Sequence, residues 1–375
     1  MATKKVYATH VTLPNGKRVY VSGRTREERA EKVAKTRFEV GAGVDVSDDT
    51  TFRDYAYTWA RVYKSPKLRA NSYATLLANL ENHVLPVLGD MRLRDIKPIH
   101  VQLFLTSISS LSRSTQSKCL QITSAVLRTA ADNGIILKSP VTKNDQPGGG
   151  SAEEEEPLTD EQARALLKAT EGTRAYLFCL LALSTGLRRG ELLGLMWEDV
   201  DLEAGVIHVT HNKVFPANAN DAPVTTLLKT ASARRRVPLP AVLHASLERE
   251  RRASDSPYVL SMANGESLSK SSFRKLWAIV EARTAGEGRK LGSTVSGGKG
   301  GAIHVTLDFT CHPHQLRHTY ATKLFEAGMD IKQVQYLLGH STPEMTLRVY
   351  THYRARCRAT ETAEQVCTAM DYLAV

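Results

Sequence analysis

Cysteine is scarce and scattered in this sequence. Its five residues stand at 119, 179, 311, 357 and 367, and none forms a CxxC pair. An odd, dispersed set excludes a disulfide framework and reads as reduced thiols. No apolar stretch reaches the roughly 20 residues that span a bilayer. The basic N-terminus is not followed by the apolar run of a signal peptide. A soluble, intracellular protein that does not engage a membrane is expected. No internal repeat is evident. The glycine-rich run from Gly286 to Gly301 is not a phosphate-binding loop: Ser293 stands where the first glycine is required, and Gly300 follows Lys299 where Ser or Thr is required. It reads as a mobile insertion with no nucleotide role.

A chain of 375 residues suggests two or three domains, and 42% hydrophobic content suffices for real cores. The formal net charge is +11 with a pI near 9.4, which favours a polyanionic partner. The charge is uneven. Residues 1–50 hold 10 Lys/Arg and 7 Asp/Glu, residues 51–150 hold 13 and 6, and residues 151–375 hold 27 and 26. Nearly all the excess therefore lies in the first 150 residues. Either this is an ordinary solvated basic surface, or the N-terminal segments grip nucleic acid while the C-terminal segment does chemistry.

The segment 1–46 has two β-rich runs around Asn15-Gly16, a hairpin signal because both residues accept the positive φ of a tight turn. Thr25-Arg26-Glu27-Glu28 is a capping box that opens a polar helix through about Phe38. From Thr51 the pattern turns helical. Phe52, Tyr55, Trp59 and Tyr63 define one apolar stripe. A second helix covers Ser72 to Glu81 and ends before Pro86. A third starts at Pro98, with proline in its first turn. A fourth runs from Ser114 to Asn133, with Leu120, Ser124, Leu127 and Ala131 on one side. Lys17, Arg18, Lys64, Lys67, Arg69, Arg113 and Lys118 are candidate phosphate contacts. Residues 147–157, from Pro147-Gly148-Gly149-Gly150 to Glu153-Glu154-Glu155-Glu156-Pro157, read as a flexible linker. Two domains joined here could close around a duplex as a clamp.

The chemistry lies beyond the linker. An apolar helix, Tyr176 to Leu183, breaks at Thr185-Gly186. A second helix begins around Leu187-Arg188. Arg188 then sits at a helix N-terminus, where free N–H groups and the dipole favour an anion. Its guanidinium can fork onto two phosphate oxygens. Glu191, one turn on, can lock Arg188, whereas Arg189 points elsewhere. Strands are expected at Gly205–Thr210 and Arg236–Leu239, with Lys229 in the loop between them. Farther on, His314 and Arg317 stack one helical turn apart. His318 points away and packs or hydrogen-bonds. Zinc on Cys311, His312, His314 and His318 is a weak alternative, because no second ligand pair follows at finger-like spacing. Asp330 caps a helix from Ile331 to Leu338 that turns Val334, Leu337 and Leu338 inward. Gly339 ends it, and His340 follows at the exit. Thr342-Pro343 starts another helix, with Met345 and Val349 inward. Tyr350 lies ten residues after His340. Two cations, two imidazoles and a phenol suit attack on a phosphodiester by a protein hydroxyl. Tyr353 is the competing phenol.

Together, TGLRRGEL at 185–192, HQLRHTY at 314–320, LGH at 338–340 and YTH at 350–352 resemble the tyrosine recombinase family, the phage-type integrases. The resemblance implies a multidomain, mainly α protein with small antiparallel sheets. A small sheet-plus-helix arm-type DNA-binding domain would occupy residues 1–46. A helical SAM-like core-binding domain would occupy 51–146, and a mixed α/β catalytic domain with a C-terminal tail 158–375. It implies that Tyr350 attacks a phosphate in duplex DNA to form a 3′-phosphotyrosine. Arg188 and Arg317 would stabilise the developing charge. His314 and His340 would bond the phosphate, Lys229 would protonate the 5′ leaving group, and Glu191 would support Arg188. No cofactor and no metal are implied. The implied partners are double-stranded attachment sites, a homotetramer on synapsed DNA, and an excisionase or DNA-bending accessory protein. The implied location is the bacterial cytoplasm, at the nucleoid. The tail, with Ala363, Val366, Met370 and Leu373, docks on a neighbouring protomer or on its own domain. Type IB topoisomerase activity, or a DNA-binding regulator without catalysis, are the alternative readings.

Overall fold

The computed structural model describes residues 6–14, 16–44, 46, 48–149, 156–216, 219–226, 234–284, 309–347 and 349–351. They fall into two units, Met1–Glu153 and Glu154–Val375. Lys229, the whole Gly286–Gly301 run, and the tail from His352 and Tyr353 onward lie outside the described residues.

The first unit opens with an antiparallel hairpin, β1 (Tyr7–Thr12) and β2 (Arg18–Gly23), in which His10 faces Tyr20 and Thr12 faces Arg18. Gly16 sits in the turn at φ 80°, as the hairpin signal requires. Alternation puts Val11 and Val21 on the buried side and His10, Thr12, Arg18 and Tyr20 on the exposed side. Helix α1 (Arg26–Gly41) covers the buried side. Its N-cap, Thr25, accepts from the Glu28 backbone N–H at 3.1 Å.

A helical core follows. Helix α2 (Phe52–Trp59) continues as a π-helical turn over Ala60–Lys64. Phe52, Tyr55 and Trp59 are buried as expected, but Tyr63 is 39% exposed. The wider turn rotates it off the apolar stripe. Helix α3 (Ala70–Asn79) passes through a second π turn, Leu80–Val84, into α4 (Leu85–Leu88). The helix therefore does not stop before Pro86. Proline in the first turn of α4 needs no N–H partner there. Helices α5 (Pro98–Ser107) and α6 (Arg113–Asp132) complete the unit. The buried face of α6 runs through Cys119, Thr123, Val126, Leu127 and Ala130. Leu127 is buried as expected, while Leu120, Ser124 and Ala131 are half-buried, so the face is centred about one residue from the one the sequence suggests.

In the second unit, α7 (Asp160–Thr170) is closed by a capping box between Thr159 and Gln162. Helix α8 (Arg174–Thr185) is apolar around most of its girth, which suits a central helix. Phe178, Cys179, Leu180, Leu181 and Ala182 are all buried, and Phe178 packs on Phe273 and Trp277. A short helix, α9 (Arg189–Gly194), leads to a three-stranded antiparallel sheet of β3 (Val200–Asp201), β4 (Val206–Val209) and β7 (Arg235–Pro238). Ile207 pairs with Val237, matching the two expected strands. A hairpin of β5 (Asn212–Lys213) and β6 (Val224–Thr225) interrupts them. Helices α10 (Ala241–Ala253), α11 (Lys270–Thr284), α12 (Pro313–Glu326) and α13 (Ile331–Leu338) follow. A last helical stretch covers 343–347 and 349–351. Among the described residues no helix is long and apolar enough to cross a membrane.

The α8–α9 turn depends on Gly186. It caps α8 at φ +60°, and a Cβ there would run into the Tyr320 ring of α12. Gly186→Ala is expected to cost roughly 1–3 kcal/mol from the left-handed backbone alone, plus the displaced ring. Gly205→Ala, at φ +63° in open space, should cost less. Urea denaturation of both variants measures the difference, and equal losses would show that the Tyr320 contact contributes nothing.

Candidate active site

The left-handed turn at Gly186 ends α8 and leaves its carbonyl facing α12. Arg317 of α12 donates to that carbonyl from Nη1 at 2.6 Å. Two residues on, Arg188 adopts an extended backbone and caps α9. Its N–H is not free for an anion, as the sequence suggested, because it donates to Glu191 Oε2 at 2.8 Å. The carboxylate three residues on fills the helix start. Arg188 Nη1 donates to the other oxygen, Oε1, at 2.9 Å. Glu191 thus locks Arg188 from two directions. Arg189 points away, with its guanidinium 5.6 Å from the centre of the Phe273 ring.

The other half of the site is the C-terminal end of α13. Gly339 caps it at φ +61°. The last carbonyls of a helix have no partner within it and carry the negative end of its dipole. Three guanidiniums take three consecutive carbonyls here. Arg235 Nε donates to Leu337 at 2.6 Å, Arg317 Nη2 to Leu338 at 2.6 Å, and Arg188 Nη2 to Gly339 at 2.7 Å.

Arg235 was not among the residues the sequence singled out. Its side chain is fully buried on β7. It forks onto Glu191, with Nη1 on Oε1 at 3.1 Å and Nη2 on Oε2 at 2.8 Å. Burial pushes the Glu191 carboxyl up, but the Arg235 bonds and the charges of Arg235 and Arg188 outweigh it, and the net shift is downward. Burial, followed by the like charge of Arg188, pulls Arg317 down to about 9, so it remains a cation at neutral pH.

His340 leaves the α13 cap and is 8% exposed. Its Nδ1 meets the Thr346 hydroxyl at 2.8 Å, and Thr346 is itself fully buried. Burial and the charges of Arg317, Arg188, Arg235 and His314 push the imidazole down to about 3. His340 is therefore neutral at physiological pH. His314, in the first turn of α12, is exposed and close enough to add to that field. His318 is half-buried. In the last helical stretch Thr346 turns inward. Met345, expected inward, is 51% exposed, because the helix phase is shifted by one residue. Leu337 is only half-buried.

Tyr350 is half-buried and joins the small core of Ala321, Phe325, Val334 and Leu338. Its ring meets Phe325 edge-on at 5.2 Å. Phe325 lies eight residues past Arg317, about 12 Å along α12. Tyr320 is the phenol nearer the arginines, but burial pushes it up to about 12. The structure thus ties Arg188, Glu191, Arg235, Arg317 and His340 into one network, sets His314 beside it, and anchors Tyr350 on the helix that carries Arg317. In the first unit, Lys17, Arg18, Lys67, Arg69, Arg113 and Lys118 are exposed. Lys64 lies over the Trp59 ring at 5.0 Å.

Residues 156–356, more than half of the chain, match the Phage integrase family. The chain belongs to the phage integrase family. Residues 51–109 match the family's N-terminal SAM-like domain. This integrase-family chain is a tyrosine recombinase, an enzyme that cuts and rejoins DNA. It is similar to the tyrosine recombinase XerC-like protein of Caldanaerobacter subterraneus subsp. tengcongensis, with 28% identity over 93% of each chain. Its fold is similar to that of the Tn1549 transposon integrase solved with transposon right end DNA. There the TM-score is 0.66 at 23% identity, covering 87% of this chain and 100% of that one. It is also similar in fold to a lambda integrase tetramer solved on a Holliday junction. That TM-score is 0.56 at 17% identity, covering 92% and 94% of the two chains.

The His340 environment gives a pH prediction. A folded-state pKa below the unfolded value near 6.5 means that this residue's contribution is complete above that pH. It is lost as pH falls toward about 3. Wild type should lose more stability than His340→Asn on acidification from pH 6.5, by up to about 1.4 kcal/mol per pH unit. Urea midpoints across that range test this. A His340 ring that titrates near 6.5 by NMR would contradict the buried, neutral state.

Proposed function

We propose that this recombinase integrates and excises a mobile element at specific duplex sites through a covalent 3′-phosphotyrosine. The observation that carries this reading is the convergence of Arg188 and Arg317 on the α13 cap beside a neutral His340. Arg188 is 37% exposed at the side chain and keeps N–H groups to offer a phosphate, while Glu191 and Gly339 fix its orientation. Arg317 lies deeper and adds a fixed positive charge. The attraction of both strengthens as negative charge grows on phosphorus, which stabilises the transition state more than the ground state.

In this reading Tyr350 gives its phenol proton to His314, and its oxygen bonds to phosphorus as the 5′ oxygen leaves. Lys229 gives that oxygen a proton. His314 and His340 bond the non-bridging oxygens. A neutral His340 suits this task, since it can donate from one nitrogen while Thr346 holds the other. The phosphotyrosine conserves the bond energy, so rejoining reverses the same step. The exposed strand face with Thr12, Arg18 and Tyr20 supports an arm-type DNA-binding role for residues 1–46. The match to the SAM-like domain supports a core-binding role for 51–146. The fold likeness to transposon and phage integrases supports the mobile-element assignment and a homotetramer on synapsed DNA. An excisionase or DNA-bending protein fits as an accessory partner, with the bacterial nucleoid as the place of action.

The test is a suicide duplex nicked beside the crossover of the element's own ends. Wild type, Tyr320→Phe and Tyr353→Phe should form a denaturant-resistant adduct, and Tyr350→Phe should form none. An adduct that survives Tyr350→Phe moves the nucleophile elsewhere. Relaxation of plasmids without site preference would favour a topoisomerase. A chain lacking residues 1–46 should bind arm DNA more weakly, with a shallower salt dependence. Unchanged recombination and directionality would remove the arm-binding role.

A further inference from the structure

We propose that Arg235 is a positioning residue for strand cleavage, coupling Glu191 to the end of α13 and so setting the orientation of Arg188. This rests on the reading of the site given above. Arg188 is held by two acceptors: the Glu191 carboxylate takes its Nη1 and its backbone N–H, and the Gly339 carbonyl takes its Nη2. Both acceptors rest on Arg235. The Arg235 fork occupies both Glu191 oxygens, and its Nε holds the Leu337 carbonyl, two residues before Gly339. Gly339 itself packs close to the Arg235 side chain. A Cβ there would stand 2.9 Å from Arg235 Nη1. A fully buried side chain on a sheet strand does not touch DNA. Arg235 acts through what it holds.

Removing the guanidinium would leave a buried carboxylate with fewer bonds and the half-buried Leu337 carbonyl with none from this side chain. Both states are costly. Glu191 would draw Arg188 inward or take up a proton. Among the described residues, the charged groups facing Glu191 are Arg188, Arg235 and Arg317. With Arg235 gone, burial acts on the carboxyl against two cations in place of three, so its protonation moves to higher pH. Lysine at 235 would restore a charge but not the planar fork that reaches two carboxylate oxygens and a helix carbonyl together.

The experiment measures adduct formation by the full chain on nicked suicide DNA at saturating concentration, for wild type, Arg235→Met, Arg235→Lys, Glu191→Gln and the double variant Glu191→Gln/Arg235→Met. Arg235→Met should slow cleavage on the order of 100-fold, the scale of a small misplacement in a reacting site. DNA affinity should change little. Its rate should also fall as pH drops through the acid range, where wild type and Arg235→Lys stay level. Arg235→Lys should remain slower than wild type, and the double variant no slower than Glu191→Gln alone. Wild-type rate and pH profile in a folded Arg235→Met would overturn the proposal, as would losses that simply multiply in the double variant. If Arg235→Met does not fold, the lysine and double variants decide. If wild type forms no adduct, the reading of the site fails first, and this proposal fails with it.

Discussion

The site depends on the unsatisfied end of one short helix. Helix α13 finishes with three carbonyls in a row that need donors, and Arg235, Arg317 and Arg188 supply them from β7, α12 and the α8–α9 turn. Segments separated by up to 151 positions in sequence are thereby joined at one point. Three guanidiniums so close repel one another. The helix dipole and the Glu191 carboxylate make the arrangement stable, and burial makes it rigid. Fixed cations whose N–H groups already point in set directions need little reorganisation when a phosphate arrives.

Much of this was legible in the sequence. The break at Thr185-Gly186, the cap at Asp330 and the exit at Gly339-His340 are local signals of turn and helix-end chemistry, and local signals survive folding. The pairing of Glu191 with Arg188 followed from helical spacing. The second partner of Glu191 was not legible, because it comes from a strand 44 positions away. A signal was nevertheless present. Along β7, Arg235 and Val237 share the buried phase while Arg236 and Pro238 face outward, so an arginine stands at a core position of the strand. Beginning the strand at Arg236 hid it.

The misread positions have two causes. Tyr63 lies within a π-helical turn and Pro86 follows one, and a wider turn changes which residue faces inward without changing composition. Met345 and the α6 face were each displaced by about one residue, where Thr346 and Thr123 take buried places. Buried threonines look polar in a sequence pattern. In α6 the hydroxyl of Thr123 is satisfied by the Cys119 carbonyl, and Thr346 is satisfied by His340.

The neutrality of His340 bears on the charge inventory of the pocket. Three arginines and one glutamate leave two positive charges, and an imidazole that stays unprotonated to about pH 3 does not add a third. A phosphodiester carries one negative charge, and the five-coordinate species formed from it by an alkoxide-like oxygen carries two. Among the described residues, the fixed charge of this network therefore matches the fleeting species and overshoots the resting DNA. Arg317 stays a cation and His340 stays neutral at physiological pH, so neither of them disturbs that balance there.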